Sequence, residues 1–271
     1  MKQKFSGVIA HTTLITATAV VLLPFIWVLL TSLKTRAIAY QIPPKLIFTP
    51  TFESYFALVE KYPFPRYFLN SLIVALSSTL IALFAGSLAA YSISRFKTGG
   101  AFLTGWILNS RTMPAIAVVL PFFMLFRIVR LDQTVFSLII AHLTFVFPMV
   151  VIFLVNFFNG IPRDLEEAAQ VDGCTQIQAL LRIVMPLASP GMLATGIIAF
   201  IFSWNEFLFA LVLTGSESRT LPVAVANFLT HQGVLLGELS ASTVVLIIPA
   251  TVMAFSIRKY FVSGLTMGAI K

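Results

Sequence analysis

Six apolar stretches, each close to the ~20 residues needed to cross a hydrocarbon core of roughly 30 Å, set the limits on what this 271-residue chain can fold into. They lie near residues 11–32, 69–93, 103–126, 134–157, 188–213 and 242–262. In lipid every backbone amide and carbonyl must find its partner inside the chain, so runs of this length read as helices. The expected fold class is an all-α integral membrane protein with six transmembrane helices. Composition agrees: 58% of residues are hydrophobic and only 10% charged, against about 25% charged in soluble domains. Lys2, Lys4 and the small residues Thr16 to Ala19 resemble a cleavable signal, but the strongest apolar stretch, Val20 to Leu30, lies beyond that point and favours a retained anchor.

Several functions are disfavoured by what the chain carries. One cysteine, Cys174, and three scattered histidines, His11, His142 and His231, form neither a disulfide framework nor a metal set, and Cys174 reads as a reduced filler beside a turn. The basic excess, 18 Lys and Arg against 10 Asp and Glu, contains no basic block of the kind that binds nucleic acid. Its lysines and arginines read as membrane-flanking charges. No G-x-x-x-x-G-K-[ST] phosphate loop occurs, so the chain is expected to bind no nucleotide and to draw its energy from a partner.

Residues 160–187 interrupt the apolar pattern. Asp164, Glu166, Glu167 and Asp172, four of the ten acidic residues, fall within nine positions. Pro162 suits a first helical position, and the three leading acids complement the helix dipole. Leu165, Ala168 and Ala169 are expected on one face. Gly173 can take the left-handed conformation that closes a helix, and Thr175 with Gln178 is a capping box opening a second. That second helix is expected to stop before Pro186, with Ser189 and Pro190 starting the next span. The arrangement, helix then glycine elbow then helix, reads as a docking surface.

These residues carry a family resemblance. Glu167-Ala168-Ala169, three residues, Gly173, nine residues, then Ile183 and Pro186 resemble the EAA loop of bacterial ABC-importer permeases, with Met185 where the family usually has leucine. Ser32-Leu33-Lys34, Asn70-Ser71, Ala90-Tyr91 to Arg95, Arg111-Thr112-Met113-Pro114 and Ser203-Trp204-Asn205-Glu206-Phe207 resemble the MalG-like, carbohydrate-importing branch. The resemblance implies a cytoplasmic coupling helix, with Glu166, Glu167, Ala168, Ala169, Asp172, Gly173, Ile183 and Pro186 in ATPase coupling. It further implies a homologous second permease, two ATP-binding cassette subunits holding ATP and Mg, and an external solute-binding protein. The implied setting is a bacterial or archaeal cytoplasmic membrane with both termini inside. On this reading residues 1–68 form the first helix and an external loop, 69–262 the importer transmembrane domain, and 263–271 a cytoplasmic tail.

Charge counts do not orient the chain: nine Lys and Arg fall on one side and eight on the other. Orientation rests on the resemblance. Residues 214–241, including His231 and Gln232, are expected to form a partly ordered external element, either packed on the chain's own surface or, by resemblance, touching the binding protein. Ser78, Ala82, Gly86, Ala90 and Ser94 recur every four residues, a spacing that lets helix backbones approach closely, chiefly among this chain's own helices.

Arg111 and Glu206 are the ionisable residues other than histidine expected within spans, where such groups are costly. Counted from the inner ends, they differ in depth by roughly 15 Å, too far to pair directly unless Pro114 distorts the third span. Asn109, Arg111, His142, Trp204, Asn205 and Glu206 are candidates for lining a translocation pathway, and Asn156 adds similar chemistry; Arg111 better fits a structural role, capping carbonyls or pairing near the inner gate, Glu206 equally fits a structural role at the outer membrane interface, and His142 also fits a hydrogen-bonded interior histidine. Two rival functions are an ion-driven secondary transporter, which would need repeated halves and acidic coupling residues, and an intramembrane enzyme, which would need a clustered nucleophile and base.

Overall fold

The computed structural model describes residues 2–230 and 233–267. In chain order its helices are α1 (Lys2–Ser32), α2 (Arg36–Ala39), α3 (Glu53–Glu60), α4 (Phe64–Phe96), α5 (Gly100–Ser110), α6 (Ala115–Ile128), α7 (Val135–Asn159), α8 (Asp164–Val171) and α9 (Gln176–Ala179). A π-helical segment, Leu180–Val184, joins α9 to α10 (Met185–Trp204), followed by α11 (Leu208–Leu213) and α12 (Leu221–Ala226). A two-residue hairpin, β1 (Leu229–Thr230) and β2 (Gly233–Val234), precedes α13 (Leu236–Met267). His231 and Gln232 at the hairpin tip, and residues 268–271 of the expected tail, lie outside the described residues.

Among the described residues five helices are long and apolar enough to cross a membrane, and a sixth span exists if α5 and α6 count as one. That pair corrects the expected unbroken span over 103–126, because the two helices meet at 92°. The cause is local. Ser110 Oγ donates to the Ile107 carbonyl at 2.8 Å and Thr112 Oγ1 to the Asn109 carbonyl at 2.7 Å, so hydroxyls occupy carbonyls that a continuing helix would use. Pro114 offers no N–H and drives the preceding residue out of helical conformation.

A second correction concerns Pro186 and Pro190, expected to end one helix and begin another. The helical backbone runs through both, from Gln176 to Trp204. The Met185 N–H reaches back five residues to the Leu180 carbonyl, and this wider π turn makes room for the Pro186 ring where an α turn would clash. The expected span 188–213 likewise ends at Trp204, with α11 a separate short helix.

The chain divides into two compact units. The first comprises residues 1–65 and 224–248. Within it Lys34 is buried, its ammonium 5.0 Å from the Trp27 ring centre and 5.2 Å from that of Phe48, an aromatic enclosure for a residue counted in the sequence as a flanking charge. Tyr40 Oη donates to the Val234 carbonyl and accepts from the Leu236 N–H, fastening the base of the hairpin.

Two hydrophobic clusters among the described residues lie in the second unit, residues 66–223 and 249–271. One joins Ala82, Ala90 and Tyr91 of α4 to Val146, Met149, Val150, Leu154 and Phe158 of α7 and to Val184, Ala188 and Ala199. The other joins Val74, Val119, Phe126, Leu138 and Ala141 to Phe209, Ala210 and Leu213. The small-residue ladder of α4 is buried along its whole length, and a Cβ at Gly86 would lie 2.9 Å from Val150 Cγ1, so the ladder serves packing within this chain. Gly86→Val is therefore expected to destabilise the protein by about 1–3 kcal/mol through overpacking, measurable as a lowered Tm in detergent beside a Ser92→Val control at a half-buried site.

Candidate functional site

The segment after α7 folds largely as its residues dictate. Asp164, Glu166 and Glu167 occupy the first turn of α8, although Pro162 stands two residues before the helix rather than at its first position. Gly173 has φ +89°, its N–H donates to the Gln170 carbonyl at 3.0 Å, and the Cys174 N–H donates to the Ala169 carbonyl at 2.9 Å. These are the two bonds of a Schellman closure, which requires the left-handed glycine. The Thr175–Gln178 capping box is formed in both directions. Cys174 is a free, half-buried thiol at the turn.

The faces of α8 differ from the expected grouping of Leu165, Ala168 and Ala169. Glu166 and Ala169, three residues apart, point inward, whereas Leu165, Glu167, Ala168 and Asp172 are exposed. Val171 is 87% exposed and Ile177 68% exposed, so the elbow presents apolar groups beside carboxylates. Ile183 lies half-buried in the π segment, and Pro186 is exposed.

Glu166 is buried because it is satisfied. Its Oε1 accepts from Arg95 Nε at 2.6 Å with Arg95 Nη2 at 2.5 Å, and its Oε2 accepts from Tyr91 Oη at 2.8 Å. Arg95 Nη2 also donates to the Ile161 carbonyl at 3.1 Å, while Arg163 Nη2 donates to the carbonyls of Ser94 at 3.1 Å and Arg95 at 3.3 Å. The last carbonyls of α4, orphaned by the helix end, are thus filled from the α8 side.

A second polar group lies deep among the spans. Glu206 falls in the break between α10 and α11, where its Oε1 accepts from the Phe209 N–H at 2.8 Å and its Oε2 from the Ala210 N–H at 3.1 Å. It therefore caps α11 electrostatically. Glu206 Oε2 is 3.4 Å from His142 Nε2, an ion-pair distance whose angle does not make a hydrogen bond. The other ring nitrogen, Nδ1, is 2.6 Å from Ser203 Oγ, which is 2.9 Å from Ser78 Oγ, and Ser78 donates to the Val74 carbonyl at 2.7 Å. One chain of polar groups thus links α4, α7, α10 and the start of α11.

Of the sequence candidates, His142 and Glu206 belong to this cluster, and the His142 side chain is 1% exposed and hydrogen-bonded, as an interior histidine would be. Trp204 is a core residue, with Phe68 at 5.6 Å and Phe200 at 5.7 Å between ring centres. Asn205 is exposed and donates to the Ile201 carbonyl at 2.9 Å. Asn109 and Arg111 stand exposed at the α5–α6 elbow, so Arg111 is not inside a continuous span, and Asn156 is exposed on α7. Ser203, Tyr91 and Arg95 stand in motifs and Ser78 in the small-residue ladder, but nothing in the sequence marks their partners.

Comparison with known proteins follows the same outline. Residues 82–267 match the family described as binding-protein-dependent transport system inner membrane component. The chain is 37% identical to a probable ABC transporter permease protein, y4oR, of Sinorhizobium fredii, over 93% of this chain and 91% of the relative. It is 37% identical to the trehalose transport system permease protein SugB of Mycobacterium tuberculosis, over 92% of each, and 34% identical to the trehalose/maltose permease MalG of Thermococcus litoralis, over 92% and 91%. Its fold is shared with a chain of a bacterial ABC transporter involved in alginate import, with a TM-score of 0.78 at 21% identity, covering 96% of this chain and 98% of the other. The chain belongs to the binding-protein-dependent transport system inner membrane component family: it is a multi-pass permease subunit of an ATP-driven importer that works with a solute-binding protein, and ATP hydrolysis resides in a separate subunit.

Proposed function

We propose that this permease translocates a sugar or oligosaccharide and works in an assembly with a homologous second permease, two ATP-binding cassette subunits and an external solute-binding protein. The solute class is supported by the relatives named for trehalose, trehalose/maltose, sulfoquinovosyl glycerol and diacetylchitobiose. The assembly reading is carried by one observation, the exposed helix–elbow–helix of residues 164–179, which presents Glu167, Asp172, Val171 and Ile177 outward. Carboxylates and apolar groups side by side suit a groove with basic and apolar walls. On this reading α8 and α9 face the cytoplasm and both termini lie on that side. ATP and Mg belong to the partner subunits, and this chain binds no cofactor.

Glu167, Ala168, Asp172 and Gly173 would make the docking face and its elbow, with Ile183 and Pro186 setting the exit into α10. Glu206 would present its carboxylate to the solute, with the buried His142 behind it, while Asn109, Arg111 and Asn205 offer exposed polar groups elsewhere on the chain. Expression of the co-encoded subunits with a tagged copy of this chain tests the assembly. Two ATPase subunits and a second permease retained in stoichiometric amounts support it, and a chain that purifies alone from such cells contradicts it.

A further inference from the structure

We infer that Tyr91, Arg95 and Glu166 form a transmission joint, through which α4 carries movement of α8 to the buried cluster of Ser78, Ser203, His142 and Glu206. The inference rests on the assembly proposed above. Three observations carry it.

First, the joint is closed from both sides. Arg95 of α4 reaches Glu166 and the Ile161 carbonyl, and Arg163 beside α8 reaches back to the Ser94 and Arg95 carbonyls. The Arg95 and Glu166 side chains are only 6% and 7% exposed, so the pair is shielded from the water that weakens surface bridges. Tyr91 takes the second carboxylate oxygen and is wedged edge-on against Phe96 and Phe158. Two oxygens held in two directions fix the position of α8 as well as its separation from α4.

Second, α4 runs unbroken from Phe64 to Phe96 with no proline in its interior. Helices α1, α6, α7, α10 and α13 each contain an interior proline, at positions 24, 121, 148, 190 and 249. The proline of α4, Pro65, lies in its first turn, where it costs no hydrogen bond.

Third, α4 reaches the other group directly. Ser78 lies on the buried small-residue ladder of α4, 17 residues before Arg95 by their numbers, or about 25 Å along the axis at 1.5 Å per residue. Its hydroxyl meets Ser203 at 2.9 Å, and Ser203 meets His142. A displacement of α8 therefore has one unbroken helix between it and the polar cluster. Glu166 and Tyr91 are buried and bonded to each other, so they act through α4 and are positioning residues.

The test uses the whole complex in liposomes, comparing solute transported per ATP hydrolysed for the unaltered chain, Glu166→Gln, Tyr91→Phe and Glu167→Lys. Glu166→Gln is expected to keep its ATPase subunits, because residue 166 faces inward, while the transport-to-hydrolysis ratio falls about tenfold, the scale of one lost charge-assisted hydrogen bond. Tyr91→Phe preserves shape and is expected to lower the ratio less, by about two- to threefold, and it decides the matter alone if Glu166→Gln fails to accumulate in the membrane. Glu167→Lys should instead release the ATPases. Unchanged ratios in both joint variants overturn the inference, as does loss of the ATPases from Glu166→Gln. An unaltered chain that holds no ATPase would overturn the proposed assembly, and the joint with it.

Discussion

Glu167→Lys is expected to reduce ATP-coupled uptake at least tenfold while the protein still inserts in normal amounts. The side chain is exposed in the first turn of α8, so the substitution disturbs no core packing. It places a positive charge at the positive end of the helix dipole and repels any basic wall of the partner groove. Gly173→Pro should be as severe for a different reason. Position 173 has φ +89°, and proline is confined near −65°. The N–H bonded to the Gln170 carbonyl would also be lost, so the elbow opens and α8 and α9 no longer present one surface. Membrane abundance, ATPase co-purification and uptake, measured together, check both variants. Normal uptake and coupling in Glu167→Lys would end the docking assignment.

Glu206→Gln is expected to lower transport or shift solute preference by about ten- to a hundredfold without uncoupling ATP hydrolysis. The carboxylate holds two backbone N–H groups of α11 and faces His142 at 3.4 Å. Hydrogen bonds to a charged group are worth about 1.5–3 kcal/mol each, one to two decades on a binding or rate constant. Asn205→Ala should act in the same direction and more weakly, since the exposed Asn205 amide bonds to the Ile201 carbonyl of its own helix, one turn back. Uptake kinetics across several sugars read both effects. Wild-type behaviour in Glu206→Gln and Asn205→Ala would return both residues to purely structural roles, Glu206 as the cap of α11.

Much of the fold is legible in the sequence, for identifiable reasons. Apolar runs long enough to span a bilayer have few alternatives in lipid, and the Gly173 elbow and Thr175–Gln178 box are local signals that depend only on residues within a turn. Structure and expectation part where tertiary structure overrides a local rule. Pro186 and Pro190 looked like helix ends, but a π turn accommodates the first and the membrane interior favours keeping the backbone helical. The right-angle break at Arg111 was signalled by Ser110, Thr112 and Pro114, yet hydropathy runs straight through it. The inward turn of Glu166 could not be read from spacing, which pairs the exposed Leu165 and Ala168 just as it pairs Glu166 and Ala169. Nor could the cluster, because Ser78 and Ser203 are 125 residues apart and nothing in sequence says that their helices cross there.

The most direct measurement is uptake of a labelled disaccharide into proteoliposomes containing this permease with its co-encoded partners, with the solute-binding protein outside and ATP supplied on the ATPase side. The account predicts uptake that requires ATP, the binding protein and the ATPase subunits together, and that an imposed ion gradient neither replaces nor drives. Uptake by this chain without the ATPase subunits, powered by a sodium or proton gradient, would contradict it.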